Sequence, residues 1–411
     1  MPEKFIIPKE PKLDWKMLLP SLRRLEPFVS LSGKPVQHLF WARNAIYHGV
    51  CALGLTAGEN ILVPAFHCTS VVEPILRYGA EVKFYDVNLD LSVDFDDLRS
   101  KIDGKTRAIL AIHYFGFPQP MQKLRELCQE HNLYLIEDCA HVLIGRTRDR
   151  LRLGHSGDIS IFSWRKFLPI YDGGQLVINN PEIKLNITLD QGSFLFRLKV
   201  AKNTFERLLE ESRGGWVMYL SAPWRLTALL LKHLVGSYSK MAKALRVNNY
   251  ESEFNLDCVN LEMSVISKRI LGRTDVAEVA ERRRRNYTRL ANAMRSMPGL
   301  KPLCSNLPDN ICPWVFPFLV QGIKDFQLFL RAKGIPATSW GGVIHPTLPL
   351  EQFPKARFLY EHLVFLPIHQ SLRDGDLDTI IHAVRQILNE TVALDEKSLD
   401  DCIPLSAVSR R

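Results

Sequence analysis

Residues 162–174 read FSWRKFLPIYDGG, and the fold turns on how this stretch is read. Upstream, DISIFSW (158–164) is apolar at most positions, and downstream GQLVI (174–178) is as well. Both runs have the length and composition of strands buried on each face. Between them stands Lys166, beside Arg165, followed by an aspartate and two glycines that allow a turn residues with a Cβ would resist.

Working outward, the same strand signal recurs in NILVPAF (60–66), EVKFYDV (81–87), RAILAIHYF (107–115) and LYLIEDC (133–139). Helical runs separate them: RNAIYHGVCALGL from Arg43, with Ile46, Val50 and Leu53 on one face, then TSVVEPILRYG and PMQKLRELCQEHN. Apolar strands joined by helical crossovers predict an α/β fold, a three-layer αβα unit around a mostly parallel sheet. Beyond residue 250 the reading predicts a helix from about Met263 to Met297 with ERRRRNYTRL on its exposed side, a strand in PWVFPFLV, and helices in IKDFQLFLRAKG and LDTIIHAVRQIL. The expected division is an N-terminal arm (1–34), a large domain (35–250) with an insertion at about 190–250, a smaller α/β domain (251–394) and a tail (395–411).

At 411 residues the chain is long enough for two cores. Its opening, MPEKFIIPKEPKLDW, has charges and prolines where a secretory leader needs an apolar centre, so none is expected. Eight cysteines form no C-x-x-C pair and no zinc-ligand spacing, which points to a reducing cytoplasm and to no metal site. The net charge of +9 is concentrated: residues 196–246 hold five Lys and five Arg against three Glu. No aromatic–basic interleaving accompanies them, so a nucleic-acid partner is not expected. Within that segment, residues 224–246 place Leu226, Leu230, Leu234, Tyr238, Met241 and Leu245 on one helical stripe, with Arg225, Lys232, Lys240 and Lys243 elsewhere. Such a helix either lies on an anionic membrane surface or packs on the sheet or a partner subunit.

Ligands of doubly wound sheets sit outside the carboxyl ends of the strands. Two strands end in chemistry here, LYLIED in Asp138 and DISIFSW in Ser163 and then Lys166. Taken alone, a carboxylate and an amine at neighbouring strand ends also fit a plain ion pair. An amine used for Schiff-base chemistry must be desolvated or near another cation, and a pyridine cofactor needs a carboxylate for its ring nitrogen. A phosphate handle needs a helix N-terminus, which the helix starting near Ala42 and Arg43 supplies, and hydroxyl donors such as Ser163.

These motifs, in this order, resemble the DegT/DnrJ/EryC1/StrS family of sugar aminotransferases, pyridoxal-phosphate enzymes of fold type I, over residues 39–390. GENILVPAFHCTSVVEPILRYGAEVKFYDV is similar to the family's turn and strand ending in aspartate. TRAILAIHYFGFPQPM is similar to its V-H-x-x-G strand and loop. LIEDCAH resembles E-D-x-A-[QH], GDISIFSWRKFLPIYDGG its lysine segment, and EMSVIS with RRNYTRL the opening of its smaller domain.

The resemblance implies that Lys166 forms the Schiff base with pyridoxal phosphate and moves the proton. It implies that Asp138 pairs with the ring nitrogen, that His141 stands beside the cofactor's 3′-oxygen, and that Ser163 with the Ala42–Arg43 region holds the phosphate. Asn260 matches an asparagine that reaches the phosphate of a neighbouring subunit, which implies a homodimer. The family's Ser-Gly-Thr is WAR (41–43) here, and its ring-stacking aromatic aligns with Cys68, leaving His67 or Phe66 for that task. The gap between Ser163 and Lys166 is also shorter than in most members. The activity implied is amino transfer from an amino acid, glutamate, to a keto sugar on a nucleotide, for polysaccharide synthesis. A cofactor-binding regulator, or an aminotransferase for a non-sugar ketone, remain the other readings of the same residues.

Overall fold

The structure, a computed structural model of the chain, describes residues 5–19, 34–147, 149–211, 254–341 and 344–400. The basic stretch 224–246 lies outside the described residues. The first half of the chain supplies β1 (Val36–Leu39), α1 (Ala42–Leu53), β2 (Asn60–Pro64), α2 (Thr69–Tyr78), β3 (Glu81–Tyr85) and α3 (Phe95–Lys101). It continues with β4 (Thr106–Ile112), α4 (Met121–Glu130), β5 (Tyr134–Cys139), β6 (Ile159–Ser163), β7 (Gly174–Ile178) and α5 (Phe194–Glu211).

The seven strands form one sheet in the order β1-β7-β6-β5-β4-β2-β3. The pairs β2–β3, β2–β4, β4–β5 and β5–β6 are parallel, as expected of helical crossovers. At the other edge β7 runs antiparallel to β6, and β1 antiparallel to β7. A parallel return would need a crossover of a dozen or more residues. The segment from Trp164 to Gly173 instead folds back at the same end of the sheet, and this return places the lysine loop over the strand ends.

The second half supplies α6 (Val265–Leu271), α7 (Val276–Met294), β8 (Leu300–Pro302), β9 (Val315–Val320), α8 (Phe326–Ala332), α9 (Pro354–His362), β10 (Leu363–Pro367) and α10 (Asp374–Asp400). Its strands form an antiparallel sheet in the order β10-β9-β8. The single helix expected over 263–297 is two helices. Ser264 caps α6 by accepting from the Ser267 N–H, α6 stops at Gly272, and Asp275 starts α7 by accepting from the Glu278 N–H.

One apolar core surrounds the large sheet, where Ile61, Ile109, Ile136 and Ile161 are fully buried. Another joins the small sheet to α7, α8 and α10 through Phe316, Phe318, Tyr287 and Ile380. A third cluster buries the lysine loop itself, with Trp164, Phe167, Leu168 and Ile170 packed on Leu13, Met263 and Ile270. The N-terminal segment is therefore laid across the molecule: Ile7 enters the second core and Leu13 the third. The Ile6 N–H donates to the Gly334 carbonyl at 3.0 Å and the Lys12 N–H to Ser371 Oγ at 2.9 Å. Among the described residues, no helix is long and apolar enough to cross a membrane.

Candidate active site

A cleft of about 370 Å³ opens at the carboxyl ends of β4, β5 and β6, between the large sheet and the small one. Ile112, Asp138 and Ser163 line it from the three strand ends, α1 contributes its first turn, and Trp314, Trp340 and Phe365 close it from the second half of the chain.

Asp138 is 2% exposed, and its Oδ1 accepts from the Ala140 N–H at 2.8 Å. Burial pushes its carboxyl up; the Ala140 hydrogen bond, Lys166 and His113 pull it partly back. A cation brought against it would relieve that penalty. Its neighbour Glu137 faces away from the cleft and accepts from the N–H groups of Gly154 (2.6 Å), Ser156 (2.8 Å) and Gly157 (2.8 Å). His113 Nε2 donates to Glu137 at 2.9 Å, because its Nδ1 already accepts from the Gln119 N–H at 3.0 Å. His113, Glu137 and Cys139 lie close enough to hold an ion. Both ring nitrogens and both carboxylate oxygens are committed to hydrogen bonds, so the trio braces the strand ends that carry Asp138.

Lys166 ends a single 3₁₀ turn that begins at Trp164. Burial pushes its amine down to about 8, with Arg165 adding to the effect, while Cys68 and Asp138 oppose it. Its Nζ lies 4.6 Å from the centre of the Trp314 ring, within cation–π range. The return loop is pinned below it. Asp172 is fully buried and accepts from the Ser264 N–H at 2.8 Å, and Gly173 takes φ +147°.

His141 stacks on Trp314, 4.3 Å between centres and 21° between planes, and more distantly on Phe115. Its Nδ1 accepts from the Phe115 N–H at 3.2 Å. Phe115 itself has φ 55°, a left-handed backbone uncommon for a bulky residue and typical of functional loops.

At the start of α1 the capping residue is Trp41, whose side chain forms no capping hydrogen bond. The first N–H groups of the helix therefore face the cleft with Ala42 and Arg43. Arg43 lies 4.8 Å over the Trp41 ring, and burial, then Arg165, pushes its pKa down. Two guanidinium groups beside a helix N-terminus make an anion seat. β7 reaches this seat only because residue 174 is glycine: a Cβ there would lie 2.2 Å from the Trp41 carbonyl carbon.

Lys166, Asp138, His141, Ser163, Ala42 and Arg43 thus share one cleft. His67 does not reach it. It is fully buried, stacked 5.3 Å from Phe84, with Nδ1 against the Pro64 and Ala65 carbonyls and its pKa pushed down to about 4 by burial. The turn after β2 directs His67 into the core, leaving Cys68 as the residue of that turn in the cleft wall. Phe66 is buried as well, against Tyr114, Trp340 and Tyr360. Asn260 is exposed and outside the cleft of its own chain, its carbonyl accepting from the Asp190 N–H at 2.8 Å.

Sequence reading missed Trp314, Trp340, Phe365 and Arg283. The run ERRRRNYTRL was assigned to an exposed face, yet Arg283 is 1% exposed. It falls at i+4 from Val279 and i−4 from Tyr287, in the buried stripe of α7. That spacing was available in the sequence.

The residues present fit pyridoxal phosphate by their donor set: a strand-end carboxylate for a ring nitrogen, an amine of lowered pKa, and an anion seat on α1. The model of the DegT/DnrJ/EryC1/StrS aminotransferase family matches residues 42–214. Among relatives, GDP-perosamine synthase of Vibrio cholerae is 38% identical over 139 residues, which are 33% of this chain and 38% of the synthase. The chain thus aligns with well under half of that relative's length. The spore coat polysaccharide biosynthesis protein SpsC of Bacillus subtilis is 23% identical across 84% of this chain and 83% of its own. In fold, the chain is similar to Helicobacter pylori PseC, an aminotransferase involved in the biosynthesis of pseudoaminic acid. There the TM-score is 0.65 at 18% identity, covering 94% of this chain and all of that one. The lysine cleft on its fold type I sheet and the match at 42–214 carry one conclusion: that stretch of the chain is similar to the DegT/DnrJ/EryC1/StrS aminotransferase family.

Proposed function

We propose that the chain is a pyridoxal-phosphate-dependent aminotransferase that moves an amino group from glutamate to a keto sugar carried on a nucleotide, for polysaccharide synthesis. The observation that carries this reading is the pairing of Asp138 and Lys166 at the ends of adjacent parallel strands, with the lysine's pKa pushed down to about 8. The names of the perosamine synthase, SpsC and PseC support a sugar acceptor and a glycan product.

The bound cofactor supplies an electron sink that stabilises negative charge on a substrate carbon. The protein's groups do the rest. The Asp138 carboxylate accepts a hydrogen bond from a protonated ring nitrogen and, being buried, binds that cation strongly. Arg43, Arg165, Ser163 and the first N–H groups of α1 hold the phosphate and fix the ring's position. Lys166 Nζ is neutral in a large fraction of molecules near pH 8, so it can take a proton from the substrate carbon and return it at the neighbouring position. Trp314, Trp340 and Phe365 shield that transfer from water. In this reading Asn260, which is exposed, completes the cleft of a second copy, and the working unit is a homodimer in the cytoplasm. The stretch 224–246, which lies outside the described residues, is in this reading either a helix packed on the sheet or the partner subunit or a contact with an anionic membrane.

The test is direct. Purified protein should show a visible cofactor band, borohydride should fix that cofactor to the peptide containing Lys166, and glutamate should donate nitrogen to a nucleotide-linked keto sugar. A band without amino transfer to any ketone would favour a regulatory role. A label on another peptide would overturn the site.

A further inference from the structure

Arg283 is a buried cation whose hydrogen-bond partners, Gln370 and the Trp314 and Phe167 carbonyls, are all neutral. Its Nε donates to Gln370 Oε1 at 3.0 Å, Nη1 to the Trp314 carbonyl at 2.8 Å and Nη2 to the Phe167 carbonyl at 3.3 Å, with the guanidinium 4.8 Å over the Phe167 ring. Gln370 closes the arrangement, its Nε2 donating to the same Phe167 carbonyl at 2.9 Å. The orientation of the amide is settled by its neighbours. A guanidinium only donates, so Gln370 must turn its oxygen to Arg283 and its nitrogen to the carbonyl.

The Phe167 carbonyl belongs to the residue directly after Lys166, and Trp314 is the ring over which the Lys166 amine sits. Both groups are therefore held from α7 and from the segment after β10, elements remote from the lysine loop in sequence. A buried guanidinium is costly, and burial pushes Arg283 down to about 10. A leucine or methionine would fill the same space without that cost, so packing alone does not explain an arginine there.

We propose that Arg283 and Gln370 are positioning residues for Lys166, clamping the Phe167 and Trp314 carbonyls so that the amine stays at the desolvated floor of the cleft. The proposal rests on the catalytic reading of Lys166, but its test does not. In the full chain freed of bound cofactor, acetic anhydride labels only neutral amines, and mass spectrometry of the Lys166 peptide gives the pH at which labelling is half-maximal. The wild-type midpoint should lie near 8. In Gln370→Leu, which loses both bonds, and Gln370→Glu, which accepts from Arg283 but cannot donate to Phe167, the loop relaxes toward water and the midpoint moves up toward 10.5. In the holoenzyme kcat should fall roughly tenfold to a hundredfold with the donor KM little changed. Both variants titrating as wild type, with only the melting temperature lowered, would show the clamp to be packing and overturn the proposal. If the wild-type chain transfers no amino group, the labelling midpoints still decide the clamp, and only the aminotransferase reading fails.

Discussion

The backbone N–H of Phe115 donates to Nδ1 of His141 across 3.2 Å, and this one bond settles where the imidazole can carry its proton. A nitrogen that accepts from an amide is unprotonated, so the neutral ring carries its proton on Nε2. Burial, and then the nearby Lys166, push the pKa of His141 well down. The ring is thus a fixed neutral donor.

It follows that His141 should not titrate between pH 5 and 8, and nitrogen NMR of the labelled ring should show the Nε2–H tautomer throughout. His141→Gln keeps a donor and should retain most activity. His141→Phe keeps the stacking on Trp314 but loses the donor, and should cost about 10- to 100-fold in kcat, the worth of a hydrogen bond to a charged oxygen. Titration of the ring near pH 6.5 would refute the assignment.

Lys166 makes a prediction about stability. Its folded pKa of about 8 lies below the ordinary 10.5, so the folded state disfavours its charge. Below pH 8 the amine is charged in both states and the cost is fully present; above 10.5 it is neutral in both and the cost vanishes. Lys166→Met should therefore stabilise the cofactor-free chain at pH 7, by up to about 3 kcal/mol, while abolishing turnover. The gain should shrink in urea melts as pH rises through 8 to 10. A gain independent of pH would mean that the amine is solvated.

The parts of this site that were legible in sequence are those that lie close together in the chain. Asp138 and Lys166 each end an apolar run, and GQLVI proved to be β7 itself, Gly174–Ile178. The small strands were harder: β1 and β8 have four and three residues, too few for a period to show. His67 was misplaced because a run such as VPAFHC does not reveal where the strand stops. β2 ends at Pro64, and the following turn points His67 inward. The Arg283–Gln370 clamp joins residues 87 positions apart, and the aromatic wall draws Trp314, Trp340 and Phe365 from separate segments of the second half of the chain, so no local pattern announces either.

Glu137 should behave as a brace, not as an acid. Burial alone would raise its carboxyl, but His113 and the N–H groups of Gly154 and Gly157 outweigh that and hold it below the usual range. Because the folded pKa is depressed, the stabilisation is present above the unfolded pKa and is lost as pH falls through the folded one. Glu137→Gln would set an amide NH₂ against N–H donors and should cost about 3 kcal/mol at pH 7, with a smaller penalty near pH 3. Chemical denaturation at the two pH values measures both. An equal penalty at each would mean that the negative charge is not what the three N–H groups bind.

β7 abuts the first turn of α1, and Gly174 permits it. An added Cβ would fall 2.2 Å from the Trp41 carbonyl carbon, 2.3 Å from its oxygen and 2.5 Å from the Ala42 nitrogen. All three are backbone atoms, so no side chain can swing away. The same residue pairs with Ser163 on one side and Leu39 on the other, which prevents β7 from retreating. Gly174→Ala must then push the α1 N-terminus outward, at a cost of about 3 kcal/mol or more, and with it the N–H groups and Arg43 that form the anion seat. Phosphate-bearing ligands should bind at least about tenfold more weakly, a loss of about 1.4 kcal/mol, while binding of pyridoxal without its phosphate should change less. Gly104→Ala is the control, since nothing lies within 4 Å of its added Cβ. If Gly174→Ala matches that control in urea melts and in phosphate dependence, α1 does not need to abut β7, and the anion seat must be sought elsewhere in the cleft.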